Sequence, residues 1–436
     1  MLYSPVISSR LRYVAMQMVS MIPGTDLILS SDKEEALSAP YPLLNYSHER
    51  FDGAVNILPD GLCEETGVRD IDAKPVSFNG NTVLFASQGD DDMGFDPFAA
   101  SFYMLSRYEE YLPARKDIHG RFQWKNSMVS RYGLEEEPLV DQWAAKLRKA
   151  LVKHYPAVSF PEREFRIIPT IDIDIPWAYR NRSFWRTLGG FARSASKADT
   201  AAMMERCRVI FMGKKDPFDT YEYIEQIHRQ SGIQAVFFFA AGRYSKYDKS
   251  ASLSNPAYRQ MIKNISSENR WGIHPSYRSY GDPALLKEEC EVLAEITGCY
   301  PVRSRNHYLR FSFPDSCRML EATGIKEDYT LGWAEMTGFR AGTCTPFRFY
   351  DLEKEEAGSL VLYPFQIMDG TLCDYMKLSP ARAKVQALDI AARVRCAGGT
   401  LITLWHNESL SESGRWKNWK NVYIDLIRTV SRWKEK

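Results

Sequence analysis

Residues 165–174 read Phe-Arg-Ile-Ile-Pro-Thr-Ile-Asp-Ile-Asp, an apolar β-like run that ends in two acids. Strand side chains alternate with a period of two, so Asp172 and Asp174, on either side of Ile173, point to one side. Five more β-like runs follow, at 235–241, 271–277, 302–309, 360–368 and 400–406. Helical patterns lie between most of them, at 216–230, 256–268, 283–297, 314–323 and 380–396, with a last one at 416–433. Strands that alternate with helices predict parallel β/α units. Six such units favour an irregular (β/α) barrel over an open sheet, and barrels place their chemistry at the C-terminal ends of the strands. Asp172, Asp174, His274, His307, Asp369 and His406 all fall at or just beyond predicted strand ends. They are therefore expected to share one site.

The chain before this region is organised differently. Short strands are expected at 55–58 and 82–85. Asp96 is placed to cap a helix with Pro97 at its first position, and Phe98, Phe102, Leu105 and Tyr108 recur at helical spacing. A second helix over 138–154 carries Leu139, Trp143, Leu147 and Leu151 on one stripe. Residues 155–164 hold two prolines and read as a linker. The expected division is a smaller α+β domain over 1–156 and a β/α domain over 165–436.

Composition narrows the class. The 436 residues carry 56 Lys and Arg against 55 Asp and Glu. Near balance argues against a general nucleic-acid binder and against a polybasic membrane partner. The eight cysteines form no C-x-x-C pair, which fits neither a disulfide framework nor a thiolate zinc site and suits reduced thiols in the cytoplasm. The stretch 13–22 is too short and too polar to span a membrane, and no cleavage-site pattern marks a signal peptide. His48, His119, His154 and His228 carry no pattern and read as structural or surface residues.

The strand-end residues suit metal-assisted hydrolysis. Asp174 and His274 are of the types that bind a divalent ion with a position left open for water. A carboxylate outside the ligand set, Asp172, can take a proton from that water. A histidine on the opposite wall, His406, can give one to the leaving group.

The ordered set resembles the polysaccharide deacetylase family, the NodB-homology or carbohydrate esterase 4 group. Thr170-Ile-Asp-Ile-Asp174 is similar to the D-x-D variant of its first motif, which implies Asp172 as base and Asp174 as metal ligand. Ile402-Thr-Leu-Trp-His406 resembles its last motif and implies His406 as acid. Arg305-Asn-His-Tyr308 resembles its third motif, with Arg305 orienting the base and His307 where proline is usual. Asp369 lies where the family places the acid histidine's partner, with Asp328 as its rival. The resemblance implies a distorted (β/α) barrel, a divalent metal with Zn2+ first in order, and an acetylated carbohydrate as substrate. Ser276, Tyr308 and Trp405 are the expected substrate contacts. The second motif departs from the family: His274-Pro-Ser-Tyr-Arg278 has arginine where a second metal histidine is usual, and arginine does not ligate metals. Either His307 fills that place, or metal binds weakly, or none binds, which leaves a non-catalytic carbohydrate-binding or assembly protein as the alternative. A hydrolase for a small amide would use the same apparatus. Phe95-Asp-Pro-Phe98, Leu105-Ser-Arg-Tyr-Glu-Glu-Tyr111 and Gly338-Phe-Arg-Ala-Gly-Thr343 resemble marks of a bacterial subgroup with an added N-terminal domain. In that setting Arg107, Glu109 and Glu110 are expected to form ion pairs that dock it.

Overall fold

The computed structural model describes residues 1–78 and 80–435. The protein is mixed α/β with parallel sheets and divides into two compact units. One unit comprises Met1–Arg166, Leu309–Ile367 and Asp389–Ile402; the other comprises Ile167–Tyr308, Met368–Leu388 and Thr403–Lys436. Packing therefore groups two later segments with the first 166 residues, whereas the linker composition divides the chain at 155–164.

In the first unit, the short strands Leu2–Tyr3, Leu29–Ser30, Leu44–Tyr46 and Val55–Ile57 form a parallel sheet. Helix Pro97–Leu105 is buried on every side, as its Phe98, Phe102 and Leu105 require. Asp96 caps it by accepting from the Phe98 and Ala99 backbone N–H groups, and Pro97 follows at the position that lacks an intrahelical partner anyway. Helix Leu139–His154 buries Leu139, Trp143, Leu147 and Leu151. Antiparallel strands Phe347–Asp351 and Glu356–Leu362 belong here too. Two sequence marks meet within this unit. Glu110 takes paired hydrogen bonds from Arg340 and one from Arg107, and all three side chains are buried. Asp141 accepts from the Thr343 hydroxyl and the Cys344 N–H. Gly338 has φ +125°, and a Cβ there would lie 2.1 Å from the Glu135 carbonyl oxygen, so a side chain is excluded on both counts.

In the second unit, strands Arg166–Ile173, Val236–Ala240, Arg270–His274 and Arg303–Ser304 run parallel in that spatial order. Strand Thr400–His406 lies on the other side of Arg166–Ile173. Ile171 and Ile173 point into the core, and Val236–Ala240 is buried throughout, the pattern of a strand covered on both faces. Helices Pro256–Glu268 and Pro283–Thr297 open with Asn255 and Asp282 as caps and proline at the first position. At Gly272 a Cβ would come within 2.6 Å of the Arg303 carbonyl oxygen, so glycine lets adjacent strands close up just before His274. Register then aligns the strand ends: Ile173 pairs with Phe239, and Ala240 with His274.

Several expectations change. The run 302–309 is a strand only at Arg303–Ser304 and then turns into a short 3-10 segment, His307–Leu309. The run 360–368 is two strands, Glu356–Leu362 and Ile367–Met368. Helices Phe184–Ser196 and Thr200–Phe211 were not anticipated, because Phe184, Trp185, Leu188, Met204 and Phe211 lie exposed, although Val209 is buried. His228 is buried, with Nε2 2.6 Å from the Tyr423 hydroxyl. Burial lowers its pKa to about 4. A group whose folded pKa is depressed contributes stability above its unfolded value, and that stability is lost as pH falls through the folded value. Between about pH 6.5 and 4, His228 should therefore cost up to about 3 kcal/mol. Urea unfolding of the wild type against His228→Gln should show the steeper acid loss in the wild type; parallel pH profiles would refute this.

Candidate metal centre

Alternation along the first strand places Thr170, Asp172 and Asp174 on one face. Arg305, fully buried just past the end of the Arg303–Ser304 strand, reaches that face. Its Nη1 donates to the Thr170 hydroxyl and, at 2.9 Å, to Asp172 Oδ1. Its guanidinium also stacks on Phe238, 4.8 Å from the ring centre. An immobilised guanidinium at this position fixes the direction of the Asp172 carboxylate.

Three imidazoles converge on Asp174. His274 Nε2 lies 3.1 Å from Asp174 Oδ1, while His307 Nε2 and His406 Nε2 lie 3.3 and 3.6 Å from Oδ2. Each ring is turned by an acceptor at its other nitrogen. His274 Nδ1 donates to the Arg305 carbonyl oxygen, His307 Nδ1 to Asp248 Oδ1 at 2.9 Å, and His406 Nδ1 to Asp369 Oδ1 at 2.8 Å. Asp369 also accepts the His406 backbone N–H. A neutral imidazole with its proton on Nδ1 presents a lone pair at Nε2. His274 Nε2 faces Asp174 Oδ1, a buried oxygen that accepts no hydrogen bond among the described residues. A lone pair on that nitrogen would repel the oxygen's unless a proton or a metal ion lay between them.

The donor set fits such a cation. Asp174, His274 and His307 offer one carboxylate oxygen and two imidazole nitrogens, all within 4.8 Å of one another. Donors about 2.1 Å from a tetrahedral ion are about 3.4 Å apart, close to the 3.1 and 3.3 Å that separate the two histidine nitrogens from Asp174. Hydrogen-bonding the distal nitrogen of each histidine to a carboxylate or carbonyl is the usual support for such a ligand. Without the ion, the charges balance through protons. Burial works against a charge on His307, but Asp174 and Asp248 outweigh it and raise its pKa to about 9. Burial likewise opposes a charge on His406, and Asp369 prevails, holding its pKa well above the ordinary histidine range. Asp174 is held well below the carboxylate range, against its own desolvation, by His307 and His274.

Arg278 lies exposed on the short turn Tyr277–Ser279 and is no part of the cluster. His307, from the next strand's end, supplies the third donor instead. Asp369, rather than Asp328, pairs with His406; Asp328 engages Thr330. One expected substrate contact must be corrected. Trp405 is fully buried against Tyr423, because neighbours on a strand face opposite sides and His406 takes the side of the site. Ser276 is also buried, its hydroxyl accepting from the Ser279 N–H to cap the turn. Tyr308 remains partly exposed beside His307, perpendicular to Tyr277, which stacks on Tyr247 at 4.1 Å. Tyr308 has φ +58°, a left-handed conformation that is unusual for a bulky residue and turns the chain sharply beyond His307.

Sequence reading missed Asp248. Besides His307 Nδ1, it accepts the Tyr277 N–H and the Ser245 hydroxyl, tying three segments together. No motif marks it; its one signal is a place in the loop after the predicted strand 235–241. Asp248→Ala should lower divalent-metal affinity by about 10–100-fold, the usual effect of losing a partner behind a histidine ligand. Titration calorimetry with Zn2+ checks this, and an unchanged affinity would contradict it.

A family model described as a family of unknown function, DUF7033, matches residues 1–156. No match is found among the curated proteins. Solved polysaccharide deacetylases are among the structures to which the chain is similar. One is a protein assigned as a polysaccharide deacetylase from Mycobacterium smegmatis, at 17% identity and a TM-score of 0.41, over 63% of this chain and 86% of that one. Another is the polysaccharide deacetylase Bc1974 from Bacillus cereus, at 15% identity and a TM-score of 0.29, over 61% and 88%. A third is BA3943 from Bacillus anthracis, described as a pseudoenzyme of the CE4 family, at 12% identity and a TM-score of 0.30, over 61% and 62%. Among the described residues, no helix is long and apolar enough to cross a membrane.

Proposed function

We propose that the protein is a metal-dependent hydrolase that removes acetyl groups from an N- or O-acetylated sugar of a glycan or glycan precursor. The observation that carries this reading is the convergence of three oriented Nε2 atoms on Asp174, with the Arg305–Asp172 pair on the same strand face. Asp174, His274 and His307 would hold the ion, and their borderline N/O donor set favours Zn2+. When bound, the ion supplies Lewis acidity toward water and toward the acyl oxygen. Asp172, oriented by Arg305, takes the proton of the attacking water. His406, kept protonated by Asp369, gives a proton to the departing sugar oxygen or nitrogen. The Tyr247, Tyr277 and Tyr308 rings offer an apolar wall on which a sugar ring can rest. The irregular (β/α) barrel over 165–436, and a separate domain over 1–156, are part of the same proposal.

The test is metal content of the purified protein, followed by acetate release from acetylated chito-oligosaccharides, cell-wall fragments and acetylated xylan. The expected result is bound zinc and release from at least one substrate. No metal and no release from any of them, even with added zinc, would instead support the non-catalytic carbohydrate-binding reading that Arg278 suggested.

A further inference from the structure

We propose that the helical hairpin formed by Phe184–Ser196 and Thr200–Phe211 is a docking face for an anionic lipid bilayer surface, on which the second unit lies without spanning it. The first helix is amphipathic but turned inside out. Arg186, Gly190 and Ser194, four residues apart, face the protein. The Arg186 guanidinium stacks 4.3 Å from the centre of the Tyr244 ring and donates to the carbonyl oxygens of Lys249 and Ser250. Gly190 lies against Arg206, and Ser194 is buried. The opposite face, which in a core-packing helix would be polar, carries Phe184 and Trp185, 72% and 76% exposed, and Leu188, half exposed. The second helix adds Met204, Phe211 and Met212, the last two 73% and 75% exposed. Exposed aromatic and aliphatic side chains concentrated in one helical hairpin call for a partner.

Charge identifies the partner's chemistry. Residues 180–215 hold nine Lys and Arg against two acids, Asp199 and Glu205, a net +7 in a chain whose total is +1. Arg180, Arg193, Lys197, Arg208, Lys214 and Lys215 are exposed in the same stretch of chain. A second copy of this chain would bring the same positive charge against it and be repelled. An anionic bilayer accepts both features: the rings enter the headgroup boundary while the basic side chains meet lipid phosphates. The near-neutral total conceals this local field. The inference stands apart from the proposed chemistry, because it uses no residue of the metal centre.

The test uses the full chain in vesicle co-sedimentation. Vesicles of phosphatidylcholine containing a third phosphatidylglycerol should bind it at least about tenfold more tightly than phosphatidylcholine alone, and binding should weaken as salt is raised. The triple variant Phe184→Ser, Trp185→Ser, Leu188→Ser and, separately, the pair Arg193→Glu, Lys197→Glu should each lower binding by about tenfold or more. All five positions are exposed, so unchanged circular dichroism and melting should accompany the loss. Absence of vesicle binding would overturn the proposal, as would equal binding to neutral and anionic vesicles, or binding that survives both sets of substitutions. Concentration-dependent dimerisation that the triple variant abolishes, without vesicle binding, would also overturn it and assign the face to a second copy.

Discussion

His307→Ala is expected to abolish tight divalent-metal binding, with affinity lowered by more than about 100-fold, while Arg278→Ala leaves it unchanged. His307 Nε2 lies 3.3 Å from Asp174 Oδ2 with its ring fixed by Asp248, so alanine removes one of three convergent donors. The effect should exceed that of Asp248→Ala, which takes away only the support behind the ligand. Arg278 is exposed on its turn and touches none of the three. Zinc content after dialysis and titration calorimetry on both variants measure the difference. His307→Gln serves as a second probe, since its amide can still hydrogen-bond Asp248 but offers no imidazole nitrogen. Retained metal in both His307 variants, or loss in Arg278→Ala, would refute the assignment of the third ligand.

The second large effect is expected at Asp172. Asp172→Asn should lower acetate release by about 100- to 10,000-fold, the range for a lost general base, while leaving bound metal in place. It should also destabilise the protein by about 3–5 kcal/mol, because Arg305 and Asp172 form a buried ion pair and asparagine leaves the guanidinium charge uncompensated. The two effects separate by experiment. Denaturant melts report the stability loss, and the rate is read at a temperature where the variant is fully folded. A folded, metal-loaded Asp172→Asn protein that still releases acetate at the wild-type rate would exclude Asp172 as the base.

The amino-acid sequence makes much of the β/α alternation after residue 165 legible. Helices Pro256–Glu268, Pro283–Thr297 and Pro380–Cys396 have the bounds that their opening prolines and apolar spacing predict. Strand Thr400–His406 likewise follows its apolar run to the last residue. The Asp172 and Asp174 alternation was readable because period two is a local property of the backbone. Trp405 was misread when that same rule was not applied to its neighbour His406. The helix Phe184–Ser196 was missed because helical reading assumes that the apolar face turns inward, and here Phe184, Trp185 and Leu188 lie exposed.

By itself, the sequence determined the β/α alternation, the capped helices, and which acids and histidines end the strands, since periodicity, capping and turn chemistry act over a few residues. Only the tertiary structure decided which of those residues meet. His307 joins Asp174 and His274 from 133 and 33 positions away, Asp248 stands behind His307, and Asp369 rather than Asp328 holds His406. It also decided that the basic stretch 180–215 leaves Phe184, Trp185 and Leu188 exposed on its first helix. Strand register and packing set these distances, and both are non-local: they follow from which segments close on one another, which no short window of residues records.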